Sequence, residues 1–309
     1  MKINKLVSFA EKFIKSDVGL NIRFNIAILA ISLVSSIIIA RILGPEGRGE
    51  LASAMLWATF IGYFSMLGVE SAIVVKISEK HEDADRVLGS AFLLGSIQSV
   101  LGIVVGLVIT NHLLSAQSQE VVRYAMIFLL SIPLLIASQY SLSTLQALLR
   151  FRVLNYLKLA FPIFYTTSVV GLFLGDIISF KYILITNLII QSLIVVTGIS
   201  YLYLINVKPK FQTYFIKPLL TLGMRVWIGS VAQGFNQKLD QTFIANAMTA
   251  RSLGLYVVAV SFSSLSSGIS YAYQLTLLPQ ISQLKDDNEK IKNFTKAFLR
   301  FFLLAILSI

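Results

Sequence analysis

Long apolar stretches, separated by short polar connections, dominate this chain of 309 residues. Each stretch is about as long as the 20 residues that a helix needs to cross a bilayer. The pattern predicts eight membrane-spanning helices, near 24–43, 51–75, 87–110, 122–145, 159–175, 182–204, 219–246 and 253–283. A ninth stretch starts near Ala297, and the sequence ends at Ile309. We therefore expect an all-α polytopic membrane protein with eight full helices and part of a ninth, and interpret the chain as a fragment of a longer one.

Two of the predicted helices recur, with their connections, about 205 residues later in the chain. The segment 40–51, which joins the first two helices, parallels 245–256. The segment 76–86 parallels 280–290 in the same way. A membrane protein with such an internal repeat is typically a transporter built from two related lobes, with its site between them.

The repeat predicts how the chain is divided. We expect a first six-helix lobe over 21–207, a cytoplasmic linker over 208–218, and the start of a second lobe, related by a parallel repeat and truncated, over 219–309. Before them, residues 1–20 place apolar side chains at helical spacing opposite lysines, which is typical of an amphipathic helix lying on an anionic membrane surface.

The distribution of charge orients the predicted helices. Hydrophobic residues make up 56% of the chain and charged residues 13%, with a net charge of +11. Nineteen Lys and Arg residues fall in the connections on the side of the N-terminus, and five fall on the other side. The positive-inside rule therefore predicts a cytoplasmic N-terminus. The basic residues follow topology, so we do not expect nucleic-acid binding.

The residue types that carry catalysis are sparse. The chain has no cysteine and two histidines, His81 and His112, which fall in connections on opposite sides of the membrane. No run of glycines forms a phosphate-binding loop. We expect no metal site, no cofactor and no enzymatic activity.

A polar face on the seventh predicted helix is the main candidate for chemistry. At 100° per residue, Arg225, Gln233, Asn236, Gln237 and Asp240 share one side, and Lys238 lies beyond its edge. A charge at the centre of a membrane costs about 2.5–3.5 kcal/mol on insertion scales, so such residues normally face a protein interior or an aqueous cavity. The structural alternative is hydrogen bonding and ion pairing between helices.

These residues suggest a cavity that binds an anion and is driven by an ion. Arg225 and Lys238 could hold a diphosphate, with Gln233, Asn236, Gln237, Asn25 and Arg41 as further lining residues. Asp240, or more weakly Glu70, could carry a proton or a sodium ion, because a carboxylate in low dielectric changes its protonation state readily.

Two stretches of sequence resemble a known family. They are Ala40-Arg41-x-Leu43-Gly44-Pro45-x-Gly47-x-Gly49-x-Leu51 and Leu253-Gly254-Leu255-Tyr256-x-x-Ala259, the second preceded by Lys238-x-Asp240. They are similar to the polysaccharide (O-antigen or oligosaccharide repeat-unit) flippases of the multidrug/oligosaccharidyl-lipid/polysaccharide exporter superfamily.

The resemblance implies a mechanism and partners. Such proteins move a polyprenyl-diphosphate-linked oligosaccharide across the bacterial cytoplasmic (inner) membrane by alternating access, for lipopolysaccharide O-antigen or other surface polysaccharides. The implied partners are the lipid-linked oligosaccharide, membrane lipids, and a glycan polymerase or glycosyltransferases.

Two other functions stay open at this point. One is an ion-coupled exporter of small cationic drugs in the same superfamily, which needs an acidic cavity. The other is a membrane scaffold in a glycan-assembly complex that transports nothing itself.

Overall fold

The computed structural model describes residues 17–114 and 117–263 of the chain, without the side chains of 232–238 and a few others. Every α-helix or 3-10 helix named here lies in that part. The α-helices are α1 Asp17–Ser65, α2 Val69–Glu79, α3 Ala84–Leu113, α4 Gln119–Phe128, α5 Ser131–Ala147, α6 Phe151–Leu174, α7 Phe180–Leu204, α8 Ile216–Ala247 and α9 Ala250–Ser263, with a 3-10 turn at His81–Asp83 between α2 and α3.

Five helical stretches of the described residues are long and apolar enough to cross a membrane. They are Gly19–Glu79, Ala84–Thr110, Gln119–Ala147, Phe151–Leu174 and Phe180–Leu204. The first has 61 residues, which at 1.5 Å per residue is enough for two crossings of a core about 30 Å thick. These stretches cover the first six predicted spans, and the expectation of an all-α multi-pass membrane protein is confirmed.

The seventh predicted span differs from these six. It lies within α8, which is long enough to cross but is not among the apolar stretches. Its polar face and its charged residues Arg225, Lys238 and Asp240 lower the mean hydropathy of the helix along its whole length. Helix α9 covers the beginning of the eighth predicted span. The rest of that span lies outside the described residues, as do residues 1–16 of the predicted amphipathic segment and the ninth stretch.

The predicted outer turn after the first span is a bend at a single residue. Gly44 has φ 68° and ψ 178°, a conformation that only glycine adopts readily. Pro45 begins the next helical turn, where its missing N–H leaves no hydrogen bond unmade. The helix therefore resumes at once, and residues 45–50 are helical where the sequence predicted a loop.

Two other helices are interrupted inside the membrane. The helix over the predicted span 51–75 is interrupted at Leu67 and Gly68, which have φ of 49° and 70°, so an unbroken helix was a wrong prediction there. The helix over the predicted span 122–145 is interrupted beside Pro133, because α4 ends at Phe128 and α5 begins at Ser131. Pro162, in contrast, lies inside an uninterrupted α6.

The basic elbow predicted over 146–158 is much shorter in the structure. Helix α5 ends at Ala147 and α6 begins at Phe151. The Arg150 N–H donates to the Leu145 carbonyl at 2.8 Å across this turn. Lys158 consequently lies about two turns inside α6, within the membrane-spanning part of the chain.

Small residues bring α3 close to α5 and to the turn before it. A Cβ on Gly95 would lie 2.9 Å from the Tyr140 ring, and Gly106 packs against Leu129. The Tyr140 hydroxyl, fully buried, donates to Gln98, whose amide donates to the Met66 carbonyl at 3.3 Å. This network joins α5 and α3 to the C-terminal turn of α1.

Candidate functional site at the contact between the repeats

The two segments that recur in the sequence lie directly against each other. A Cβ added to Gly49 would overlap the Ala250 carbonyl, and a Cβ added to Gly254 would overlap the Pro45 carbonyl. Gly49 and Gly254 are 205 residues apart, as are Pro45 and Ala250. The contact is therefore reciprocal, which is what a pseudo-two-fold axis between two copies of one motif produces. We call it the outer contact, because it lies on the side that the positive-inside rule predicts to be outside.

Polar side chains support the outer contact from two directions. About two turns of α1 before Gly44, the Ser36 hydroxyl donates to the Ser261 hydroxyl of α9 at 2.9 Å. From the connection between α3 and α4, the Gln117 amide donates to the Ala245 carbonyl at 2.9 Å, at the end of α8. The contact thus combines close packing of glycine on backbone carbonyls with hydrogen bonds, and its Ser36 hydroxyl also accepts from Arg48 Nη2 at 3.3 Å.

A second glycine pair joins α8 to the break between α1 and α2. A Cβ on Gly223 would lie 2.7 Å from the Leu67 carbonyl, and one on Gly68 would overlap the Gly223 carbonyl. The Phe64 and Trp227 rings meet edge to face beside them, with centroids 6.1 Å apart. Helix α8 is therefore seated on the interrupted part of the second span.

The residues predicted on the polar face of α8 are described only in part. Arg225 and Asp240 are exposed, and the Asp240 carboxylate accepts a hydrogen bond from the Tyr256 hydroxyl of α9. The backbones of Gln233, Asn236, Gln237 and Lys238 are helical, but their side chains lie outside the described residues. The predicted cluster on α8 stays a prediction.

The other predicted site residues are spread over three places. The Asn25 amide donates to the Asn21 carbonyl at 2.9 Å, while the Asn21 side chain accepts from Asn155 and so ties α1 to α6. Arg41 is exposed. Glu70, in the first turn of α2, keeps one buried carboxylate oxygen without a hydrogen-bond partner within the described ranges. No hydrogen bond or ion pair between described residues joins these side chains to Arg225 or Asp240.

Two basic residues that the sequence placed in connections line a cavity instead. Arg48 is half-buried and Lys158 is exposed on the cavity wall. Lys158, Phe161, Pro162 and Tyr165 all line it, and their spacing is that of one face of a helix. The same spacing is visible in the sequence, and it would have placed Lys158 on one helix face together with Phe161, Pro162 and Tyr165. Over 17–114 and 117–263, no group of three His, Asp or Glu residues is arranged to hold a metal ion.

Comparison with protein families gives a match over most of the chain. The profile of the family described as "Polysaccharide biosynthesis protein" matches residues 38–308. A comparison with curated protein sequences finds no match.

Comparison with solved structures finds the same fold in a transporter. The structure of the MATE multidrug transporter DinF-BH superposes with a TM-score of 0.65 and 14% sequence identity. The match covers 93% of this chain and 71% of the other. At that identity the likeness shows the fold.

Proposed function

Because the chain belongs to the polysaccharide biosynthesis protein family, we propose that it is a flippase for a polyprenyl-diphosphate-linked oligosaccharide. It would act in the bacterial cytoplasmic membrane, with its N-terminus in the cytoplasm, and supply a surface polysaccharide such as an O-antigen. Family and fold both point to a membrane transporter rather than an enzyme.

The observation that carries this proposal is the reciprocal outer contact. Gly49 packs on Ala250 and Gly254 packs on Pro45, so the outer ends of the two repeated motifs are in contact. Release of a cargo into the outer leaflet requires this contact to open. Alternating access then consists of rocking the motifs apart and together.

The proposed cargo explains the basic residues of α8. Arg225 and Lys238 would hold the diphosphate, with Gln233, Asn236, Gln237, Asn25 and Arg41 near the sugars. Asp240, or Glu70, would carry the proton or sodium ion that drives the cycle. The Asp240 carboxylate accepts a hydrogen bond from Tyr256 of α9, so an ion bound at Asp240 would act on the contact between α8 and α9.

A cationic-drug exporter is the second candidate function, supported by the fold of DinF-BH. Electrostatics favour the flippase. Two cavities in the described part are lined by Lys158, and one of them also by Arg48, with no Asp or Glu among their lining residues. A basic interior repels cations and attracts the diphosphate of a lipid carrier.

The test is mass spectrometry of lipid extracts from cells that lack the gene. We expect polyprenyl-diphosphate oligosaccharide to accumulate and to disappear when the full-length gene is restored. Arg225→Ala should leave most of it in place at normal expression, because a principal phosphate contact is gone. Asp240→Asn should slow clearance and remove its dependence on the ion gradient.

Other outcomes separate the alternatives. If no lipid-linked intermediate accumulates and the cells become sensitive to cationic dyes, the drug-exporter function replaces the flippase. Purified protein that captures a glycosyltransferase but moves no lipid in liposomes would instead identify a scaffold.

A further inference from the structure

A cavity of about 350 Å³ lies between α1, α6 and α7. We call it the α1–α6–α7 cavity. The cavity adjoins the outer contact, because Ser36 lines it and also hydrogen-bonds Ser261 of α9. Its polar wall consists of Ser32, Ser35, Ser36, Arg48, Lys158, Tyr165 and Asn187.

The two cations of this cavity have no acidic partner. One Arg48 nitrogen, Nη2, donates to Ser36 at 3.3 Å, while Nε is buried and has no hydrogen-bond partner among the described residues. Within the same residues, none of the ion pairs includes Arg48 or Lys158. The cavity lining contains no Asp or Glu.

Neutral groups in the wall are also left without partners. The Ser35 hydroxyl and the Asn187 side-chain oxygen are buried, and the two residues are 5% and 3% exposed. Neither atom has a hydrogen-bond partner within the part of the chain that the structure describes. The Ser35 hydroxyl can therefore donate into the cavity, whereas the Asn187 amide already forms a hydrogen bond with the Tyr165 hydroxyl.

A smaller cavity continues along α6. It has a volume of about 160 Å³ and shares Lys158 and Phe161 with the first. Ser138, Gln139 and Gln191 add further polar groups to its wall. The Lys158 ammonium therefore borders two adjoining cavities, whereas Arg48 borders only the α1–α6–α7 cavity.

Taking a charged side chain out of water costs free energy, and an acidic partner usually offsets that cost. The two cations of this cavity have no such partner. We propose that the α1–α6–α7 cavity binds a phosphate-type oxyanion. The planar Arg48 guanidinium donates hydrogen bonds to the oxyanion, including one from its unpaired Nε. The Lys158 ammonium supplies a second positive charge on a flexible side chain. The Ser35 hydroxyl supplies a further donor.

The volume limits what can enter. At about 350 Å³, the cavity is at the small end of the range for ligand sites, so it holds a phosphate or diphosphate but not the oligosaccharide. The inference goes beyond the proposed function, since the site requires no particular glycan. The anion could be the diphosphate of a lipid or free inorganic phosphate, two sources with the same chemistry.

The experiment measures anion binding to the purified full-length protein in nanodiscs of zwitterionic lipid. Inorganic pyrophosphate is titrated calorimetrically in one arm, and in the other the nanodiscs carry increasing amounts of polyprenyl diphosphate. Arg48→Gln and Lys158→Gln should each weaken binding about tenfold or more, because a charge-assisted contact is lost. Lys158→Arg should retain binding. Arg152→Gln, which removes an exposed cation six residues earlier on α6, is the matched control and should change nothing.

The two arms identify the source. Binding of pyrophosphate in lipid without diphosphate assigns the site to a free anion, and binding of polyprenyl diphosphate alone assigns it to a lipid headgroup. The proposal fails if neither probe binds. It also fails if Arg48→Lys and Arg48→Gln, with the melting temperature of the parent, bind as tightly as the parent. None of these results depends on whether the protein flips a glycan.

Discussion

Alanine at Gly49 or at Gly254 is expected to hold the outer ends of the two repeats apart and to stop transport. In the closed arrangement, each new Cβ would overlap a backbone carbonyl, of Ala250 or of Pro45 respectively. A backbone atom cannot turn aside as a flexible side chain can, so the contact must open. Overpacking of this kind costs about 1–3 kcal/mol, and about 1.4 kcal/mol already changes a population tenfold.

Accessibility labelling measures this effect, because the chain has no cysteine of its own. A reporter is introduced as Ser36→Cys, a position that is 9% exposed in the closed arrangement. With Gly49→Ala or Gly254→Ala, we expect membrane-impermeant maleimide added outside to label the reporter at least tenfold faster, and transport to fall by a similar factor. Gly171→Ala is the control, because nothing lies within 4 Å of its added Cβ.

The two glycine variants should behave alike because the contact is reciprocal. Equal effects at two positions 205 residues apart would be difficult to obtain from unrelated local damage. Unchanged labelling in both variants, with transport preserved, would show that the outer contact does not close during the cycle.

Alanine at Gly68 is expected to have the largest effect on stability. Gly68 has φ 70°, which costs a residue with a side chain about 1–2 kcal/mol. Its added Cβ would also overlap the Gly223 carbonyl of α8. We expect the free energy of unfolding to fall by about 2 kcal/mol or more, measured by thermal unfolding of the purified protein in detergent.

Two further variants separate the causes of this loss. Asparagine tolerates the left-handed conformation, so Gly68→Asn should be as damaging as alanine if packing against α8 dominates. Gly229→Ala, whose Cβ would meet nothing within 4 Å, should leave stability unchanged or slightly higher, because alanine favours a helix interior. A near-parental melting temperature for both Gly68 variants would mean that α8 is not seated on this break.

The spans of the first lobe could be predicted because apolar length alone decides whether a helix can cross a membrane. The interruptions could not be predicted in the same way. The break at Leu67 and Gly68 lies inside the predicted span 51–75, and a glycine within a span does not by itself show that backbone φ turns positive there. Pro133 was a visible signal because proline cannot donate a hydrogen bond, and the break occurs beside it.

The cavity residues were missed for a related reason. Basic residues were expected in the connections between spans, which assigned Arg48 to an outer loop and Lys158 to an inner one, although both lie in helices. The helix resumes immediately after Gly44, which carries Arg48 into the bundle. The repeat at an offset of 205 residues was visible in the sequence. The contact of Gly49 with Ala250 could not be predicted, because it depends on how the two segments are oriented in space, and a local sequence pattern does not encode that orientation.

The most direct test of alternating access is a reversible cross-link across the outer contact. Ser36→Cys and Ser261→Cys would replace two hydroxyls that lie 2.9 Å apart, close enough for a disulfide, and each single variant serves as the control. We expect oxidation to cross-link the double variant and to stop lipid-linked oligosaccharide transport in proteoliposomes, and reduction to restore it. Cross-linked protein that transports at the rate of the reduced protein would contradict the account.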